Sequence, residues 1–286
     1  MRAVAFLTSA DLPALFEDDR LAADALRGRG FDVTPVVWTD ATGAALERFD
    51  AVVMRSPWDW FLRRPEFRAF LSLLRRVRVP VFNASAVMLE FADKTALPRL
   101  AERGAAVVPT EVFAPAELPR VPERLAAWGW PRAVLKPAFT ANAFGAQRFA
   151  AQDVGAVLAS LPLIDDEPWL LQPFLEEIAG GERSFVFFDG RFSHAVVKRP
   201  REGDWRVQVE HGGQAAPWDA TPAEVAEATE LLRLAAPDTL YARVDAVPWR
   251  GRLHLMELEV VEPELFFRFA PHAPSRFADV LVRRLG

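Results

Sequence analysis

The chain has 286 residues, a net charge of −5, 51% hydrophobic and 26% charged residues, and no cysteine. That composition supports a sizeable core and excludes pervasive disorder, a basic nucleic-acid-binding surface, disulfides and thiolate metal sites. No apolar run approaches the roughly 18 residues of a membrane span, and residues 1–7 read as a first strand rather than a leader, so a cytoplasmic protein without membrane partners is expected.

Residues 3–7 form an apolar run, followed by a helix over 17–27 that stops at Gly28 and Gly30. Residues 31–38 and 51–54 read as further strands. Pro65 opens a helix with Phe67, Phe70, Leu71 and Leu74 at i, i+3, i+4 and i+7, and 79–82 is a short fourth strand. Strands alternating with helices predict a parallel α/β sheet, whose ligands sit beyond the carboxyl ends of the strands. Those ends carry Ser9, the run Arg55-Ser56-Pro57-Trp58-Asp59 and Asn83. Beyond residue 85 the pattern becomes α+β. Strands are expected at 107–113, 132–137, 147–150 and 169–174, with a Pro-rich connection at 114–122 and a short helix at 123–128. Hairpins are expected around Asp189-Gly190 and Arg250-Gly251. Thr221-Pro222-Ala223-Glu224 is a capping box that starts a helix, and 274–285 is a closing helix.

Three observations carry chemistry. Among 34 basic residues only Lys94, Lys136 and Lys198 are lysine, so each stands where a compact ammonium has been kept in an arginine-rich chain. Lys136 ends an apolar strand, where it needs an anion, and the small-residue loop 138–146 after it can offer backbone N–H groups to phosphate. Glu257 and Glu259 share one face of a strand that pairs with the strand carrying Asp245. Three carboxylates on one face repel one another unless a cation intervenes. Hard oxygen ligands favour Mg²⁺, the alternative being pairing with arginine on a solvated face.

Taken in order, Asp93-Lys94, Lys136-Pro137, Gln172-Pro173-Phe174-Leu175 and Asp245 with Glu257-Leu258-Glu259 resemble the ATP-grasp superfamily over residues 86–286. The segments 55–59, 181–184, 192–195, 198–200 and 256–259 are similar to its branch containing D-cycloserine synthetase. The resemblance implies an α/β N-terminal parallel-sheet (pre-ATP-grasp) domain over 1–85, then an α+β two-subdomain ATP-grasp fold divided at 86–171 and 172–286. It implies that Lys94, Lys136 and Thr140 hold ATP phosphates, and that Gln172, Phe174 and Leu175 line the adenine. Glu176 or Glu177 would accept its amine, and Glu182 would take the ribose. Lys198, Arg199 and Arg206 would face the γ-phosphate and substrate carboxylate. Gly212, Gly213 and His194 would border the substrate, and Asp245 and Glu257, with Glu259 where many relatives have asparagine, would hold Mg²⁺ or Mn²⁺. A lone histidine such as His194 is otherwise structural. From the first domain, Arg55, Ser56 and Asp59 are expected to hold an amino-acid zwitterion. Asp18 and Asp19 either hold an amine or serve as charges favoured at a helix N-terminus.

The expected activity is ATP-dependent activation of a carboxylate as an acyl phosphate, then C–N bond formation, on a small amino-acid-like substrate. The product would be cyclic, as in D-cycloserine synthesis, or condensed. The competing expectations are a dipeptide-forming amino-acid ligase and a catalytically silent nucleotide-binding regulator. The superfamily commonly forms dimers, so a homodimer is expected.

Overall fold

The computed structural model describes residues 2–162, 167–235 and 238–286. In the first third, β1 (Arg2–Thr8), β2 (Phe31–Val37), β3 (Ala51–Ser56) and β4 (Val81–Phe82) form a parallel sheet in the order β2-β1-β3-β4. The crossovers contain α1 (Glu17–Arg27), α2 (Gly43–Leu46) and α3 (Arg64–Leu74). Every residue of β3 is buried, as a strand covered on both faces requires. The apolar stripe of α3 (Phe67, Phe70, Leu71, Leu74) is buried as its spacing predicts.

Two helices, α4 (Ser85–Ala92) and α5 (Ala96–Glu102), lead to a four-stranded antiparallel sheet of order β5-β8-β6-β7. Its elements are β5 (Glu111–Phe113), α6 (Val121–Trp128), β6 (Arg132–Pro137), β7 (Gln147–Ala150), α7 (Val154–Ser160) and β8 (Trp169–Pro173). The last third is a five-stranded antiparallel sheet of order β11-β10-β9-β12-β13. It comprises β9 (Glu182–Phe188), β10 (Arg191–Arg199), β11 (Gln214–Trp218), α8 (Pro222–Ala235), β12 (Tyr241–Trp249), β13 (Arg252–Glu259) and the closing α9 (Ala273–Leu285). Both hairpin tips have positive φ at each central residue, 54° and 70° at Asp189-Gly190 and 50° and 81° at Arg250-Gly251, the geometry that suits the twist of the flanking strands. The capping box of α8 forms as its sequence predicts, with Thr221 N–H donating to Glu224 at 2.8 Å.

Differences from the pattern have local causes. The expected strand at 107–113 shortens to β5 because Ala106 and Val108 bond instead to Leu255 of β13 (2.8 and 3.0 Å). Part of the Pro-rich connection coils into 3₁₀ turns over Pro115–Arg120. β11 escapes sequence reading because Pro217 argues against a strand, yet it is an edge strand, where a missing donor is tolerated.

The first and last thirds share a core. Phe277 of α9 packs its ring against Phe6, Phe188, Tyr241 and Phe267 at centroid distances of 5.6–6.3 Å. Asn83 ties the same two parts polarly: its amide donates to the carbonyls of Tyr241 and Val260, and its oxygen accepts from Leu240 N–H at 2.7 Å. The four-stranded sheet has a separate core around Phe113, Leu125, Leu135 and Trp169. No helix among the described residues is long and apolar enough to cross a membrane.

Candidate active site

One face of the five-stranded sheet gathers a row of charges that line two cavities. Period-2 alternation places Glu182, Lys198, Arg243, Asp245, Glu257 and Glu259 there, and the register opposes Lys198 to Glu182, Asp245 to Glu257 and Arg243 to Glu259. Lys198 Nζ is 2.5 Å from Glu182 and 2.7 Å from Asp245. Arg243 is 2.9 Å from Asp245 and also bonds Glu259, and Lys94 Nζ is 2.9 Å from Glu257. Burial opposes ionisation of Asp245, but Arg243 and Lys198 outweigh it and hold the carboxyl well below the usual range. Burial, with Asp245 and Glu257 nearby, pushes Glu259 up to about 8 against the pull of Arg243.

The chain therefore answers the repulsion among its carboxylates with its own cations. Arg243, two residues before Asp245 on the same face, was legible from the alternation and went unread. Among the described residues no three Asp, Glu or His side chains gather into a ready-made metal cluster. Asp245 and Glu257 face each other across the ladder and line the same cavity with hard oxygen donors, which fits Mg²⁺ or Mn²⁺. All three carboxylates hold cations of the chain here, Asp245 those of Arg243 and Lys198, Glu257 that of Lys94, and Glu259 that of Arg243.

Two adjoining cavities open on this face. The first lies between the four- and five-stranded sheets, with Val134, Leu175, Ile178, Val247 and Met256 as apolar walls and the 138–146 loop along one side. Lys94, Lys136 and Glu257 line it together, near enough to influence one another's charge. Lys136 is half-buried, and among the described residues no ion pair involves it. Desolvation pulls its ammonium below the ordinary lysine value. The second cavity, about 450 Å³, extends past Lys198 and Asp245 to an aromatic wall of Phe16, Trp58 and Trp60 from the first domain. All three lysines of the chain line these two cavities.

Of the residues expected at the nucleotide, Lys94, Lys136, Thr140, Gln172, Phe174, Leu175 and Glu182 line the first cavity. Glu176 and Glu177 lie outside it, exposed on the turn after β8, and Glu176 pairs with Arg132. Arg206 lines the first cavity while held 2.9 Å from Asp204. Lys198 lines the second, and Arg199 is exposed and lines neither.

The expected substrate residues are not gathered at the cavity. Arg55 is fully buried, with its guanidinium 2.8 Å from Asp19 and donating to the Pro263 carbonyl at 2.9 Å. A charge in an all-buried strand persists only with such a partner. The Ser56 hydroxyl donates to the same Asp19 at 2.6 Å, Asp59 accepts from the Trp38 indole at 2.7 Å, and Asp18 holds Arg268 at 2.9 Å. Asp18 and Asp19 lie in the first turn of α1, as the helix N-terminus reading has them, and there they are buried, each paired with an arginine. Gly212 and Gly213 shape the loop that brings Val207 and Gln208 into both cavities. A Cβ on Gly213 would come within 2.0 Å of the Val207 carbonyl oxygen, so the chain can double back there only on glycine.

His194 also lies outside the cavities. Its Nε2 donates to the Leu265 carbonyl at 2.9 Å, which leaves Nδ1 to accept from the Ser193 hydroxyl at 3.0 Å. Burial lowers it to about 4, so it stays neutral in the fold. The unfolded chain binds this proton more readily between pH 6.5 and 4; the contribution is therefore complete above 6.5 and lost as the pH falls toward 4. Urea titrations of the parent and His194→Gln should diverge over that window, the parent losing roughly 2–3 kcal/mol more. Parallel curves would show that His194 is not buried neutral.

Sequence reasoning missed Trp205, which lines the first cavity beside Phe174, and Glu262, which lines the second and accepts from the Trp60 indole. Only a three-dimensional cavity identifies either one.

Residues 4–83 match the family described as the N-terminal domain of D-cycloserine synthetase DcsG, and residues 128–263 match the ATP-grasp domain of prokaryotic glutathione synthetase. Over 291 residues the chain is 33% identical to the cycloserine biosynthesis protein DcsG of Streptomyces lavendulae, an alignment covering 96% of this chain and 94% of that one. The chain belongs to the D-cycloserine synthetase family of ATP-grasp ligases. A crystal structure of D-cycloserine synthetase DcsG superposes with a TM-score of 0.88 at 29% identity, covering 99% of this chain and 100% of that one. The RimK domain ATP-grasp protein of Sphaerobacter thermophilus shares the fold (TM-score 0.73, 20% identity, 98% of this chain and 99% of that one). As a D-cycloserine synthetase family member the protein is an ATP-dependent carbon–nitrogen ligase, and ATP-grasp ligases in general use ATP with Mg²⁺.

Proposed function

We propose that the enzyme closes a D-serine derivative into a cyclic amide, as the name of its relative suggests. Opening the ring amide of D-cycloserine leaves a D-serine whose side-chain oxygen carries a nitrogen, so the substrate class is an O-nitrogen-substituted serine. A carboxylate oxygen attacks the γ-phosphorus and ADP leaves. The side-chain nitrogen then attacks the acyl carbon, phosphate departs, and the nitrogen gives up its proton. No protein nucleophile is needed.

The observation that carries this reading is Lys136, a desolvated ammonium with no ion-pair partner among the described residues, lining a cavity with apolar walls. An anion with a flat apolar head supplies what the cavity lacks, and a nucleoside triphosphate is such a ligand. Lys94 and Lys136 hold the phosphates, and Gln172 to Leu175 border the base. Lys198 and Arg243 neutralise charge near the substrate carboxylate, while the 138–146 loop keeps water from the acyl phosphate. Asp245 and Glu257 would hold Mg²⁺, which supplies charge neutralisation at the triphosphate.

A non-hydrolysable ATP analogue at 100 times its dissociation constant should stabilise the protein by about 2.7 kcal/mol, a rise of about 5–10 °C in Tm, and more with Mg²⁺ than without. ADP release with O-amino-D-serine, and a product 18 mass units lighter than the substrate, tests the cyclisation; a product joined to a second amine would favour the dipeptide-forming alternative. No shift at millimolar analogue, with or without Mg²⁺, would overturn the nucleotide assignment.

A further inference from the structure

The second cavity has a charge that the fold itself does not answer. Of the carboxylates lining it, Glu17 and Glu210 are exposed to solvent, and among the rest Asp245, Glu182, Glu257, Glu259 and Glu264 each have a lysine or arginine partner. Glu262 has none among the described residues. Its carboxylate accepts from the Trp60 indole N–H, and its backbone carbonyl accepts from the Trp58 indole at 3.1 Å. It is half-buried, and desolvation pushes it up to about 7 against the pull of the Trp60 indole and of Lys94 and Arg243, neither of which forms an ion pair with it. A half-buried carboxylate whose side chain has one neutral donor is incompletely solvated and gains from a cation brought against it.

Its surroundings are built to stay in place. Trp60 packs on Phe61, Phe67 and Phe139 at centroid distances of 4.9–6.2 Å, and Trp58 lies 4.7 Å from Phe16. Indole rings beside the carboxylate wall it off from solvent, which strengthens ion pairing with an ammonium group. Arg55 and Asp19 lock the neighbouring segment by bonding to the Pro263 carbonyl and to Ser56, so residue 262 is flanked by fixed backbone.

We infer that Glu262, set between the Trp58 and Trp60 indoles, binds the α-ammonium of the substrate and makes an ammonium-bearing amino acid, rather than a hydroxy acid, the substrate class of this cavity. The inference rests on the ligase reading for what is bound there, and it adds the polarity: the ammonium lies toward the first domain, and the carboxylate lies toward the lysines and the nucleotide cavity. Glu262 thereby sets specificity and takes no part in phosphoryl transfer.

The test compares O-amino-D-serine with the analogue carrying a hydroxyl in place of the α-amino group, using parent and Glu262→Gln. Binding is measured by calorimetry with a non-hydrolysable ATP analogue and Mg²⁺, and turnover by ADP release. Glutamine preserves an acceptor for the Trp60 indole, and an unchanged Tm shift with the ATP analogue alone verifies the fold. The parent should prefer the ammonium compound by on the order of 100-fold, and the variant should lose most of that preference through weaker binding of the amino compound. A variant that keeps the preference, or a parent that has none, overturns the inference. Ammonium-selective binding lost in the variant but with no ADP released by the parent would uphold Glu262 while rejecting this compound as the ligase substrate.

Discussion

Glu257→Ala should lower ADP formation by about 10³-fold or more while leaving the fold in place. The Glu257 side chain is 29% exposed and pairs with Lys94, so its removal opens no sealed void and strands no buried anion. It does leave Lys94 and Lys136 as two ammoniums beside one cavity with less counter-charge. The variant should therefore bind the ATP analogue as well as the parent in the absence of Mg²⁺, yet lose the additional stabilisation by Mg²⁺. Calorimetry with and without the ion, beside an ADP-release assay, reads both effects. Retained turnover, or an intact response to Mg²⁺, would remove Glu257 from the metal assignment.

The second large effect is expected at Lys136. Its position at the end of β6, in a cavity wall shared with Val134 and Gln172, suits a thin four-carbon stem with a compact charge at its tip. Arginine brings a planar fork whose donors cannot reproduce the placement of a compact ammonium. Lys136→Arg and Lys136→Met should both weaken nucleotide binding by about 100-fold. Their stabilities should differ from what an ordinary ion-pair loss produces. Because burial already disfavours the Lys136 charge, the methionine variant should melt at or above the parent temperature. A methionine variant that keeps nucleotide affinity would return the lysine to the status of an arginine substitute with no selected role.

The legible parts of this protein were those governed by local rules. The spacing of Phe67, Phe70, Leu71 and Leu74 gave α3, the Asp189-Gly190 and Arg250-Gly251 pairs gave the hairpins, and the scarcity of lysine singled out three cavity residues. Long-range pairing escaped. Nothing near Ala106 announces that it bonds to Leu255, and the strand at 107–113 was overextended for that reason. The first-domain residues 55–59 show the same limit. Their place at a strand end suggested ligand contact, but whether a polar side chain there faces a ligand or a distant chain segment depends on what folds against it. Here Pro263 and Asp19 occupy Arg55, and the half-buried cavity carboxylate without an ion-pair partner among the described residues is Glu262, from the last third of the chain.

The separate core of the four-stranded sheet has a consequence for how the molecule comes apart. The first and last sheets interlock through Phe277, Asn83 and Tyr241, whereas β5 to β8 and their helices bury their largest apolar groups among themselves. Such a unit can open sub-globally, without melting the rest, and amides of β6 and β8 should then exchange with solvent at a lower free energy than those of β1 or β9. A nucleotide bound between the sheets, as proposed, would touch both units, and its binding energy would count against that partial opening as fully as against complete unfolding. Ligand occupancy thus converts a two-part exchange profile into a single cooperative one, and slowed exchange in the middle sheet reports occupancy at a distance from the reacting atoms.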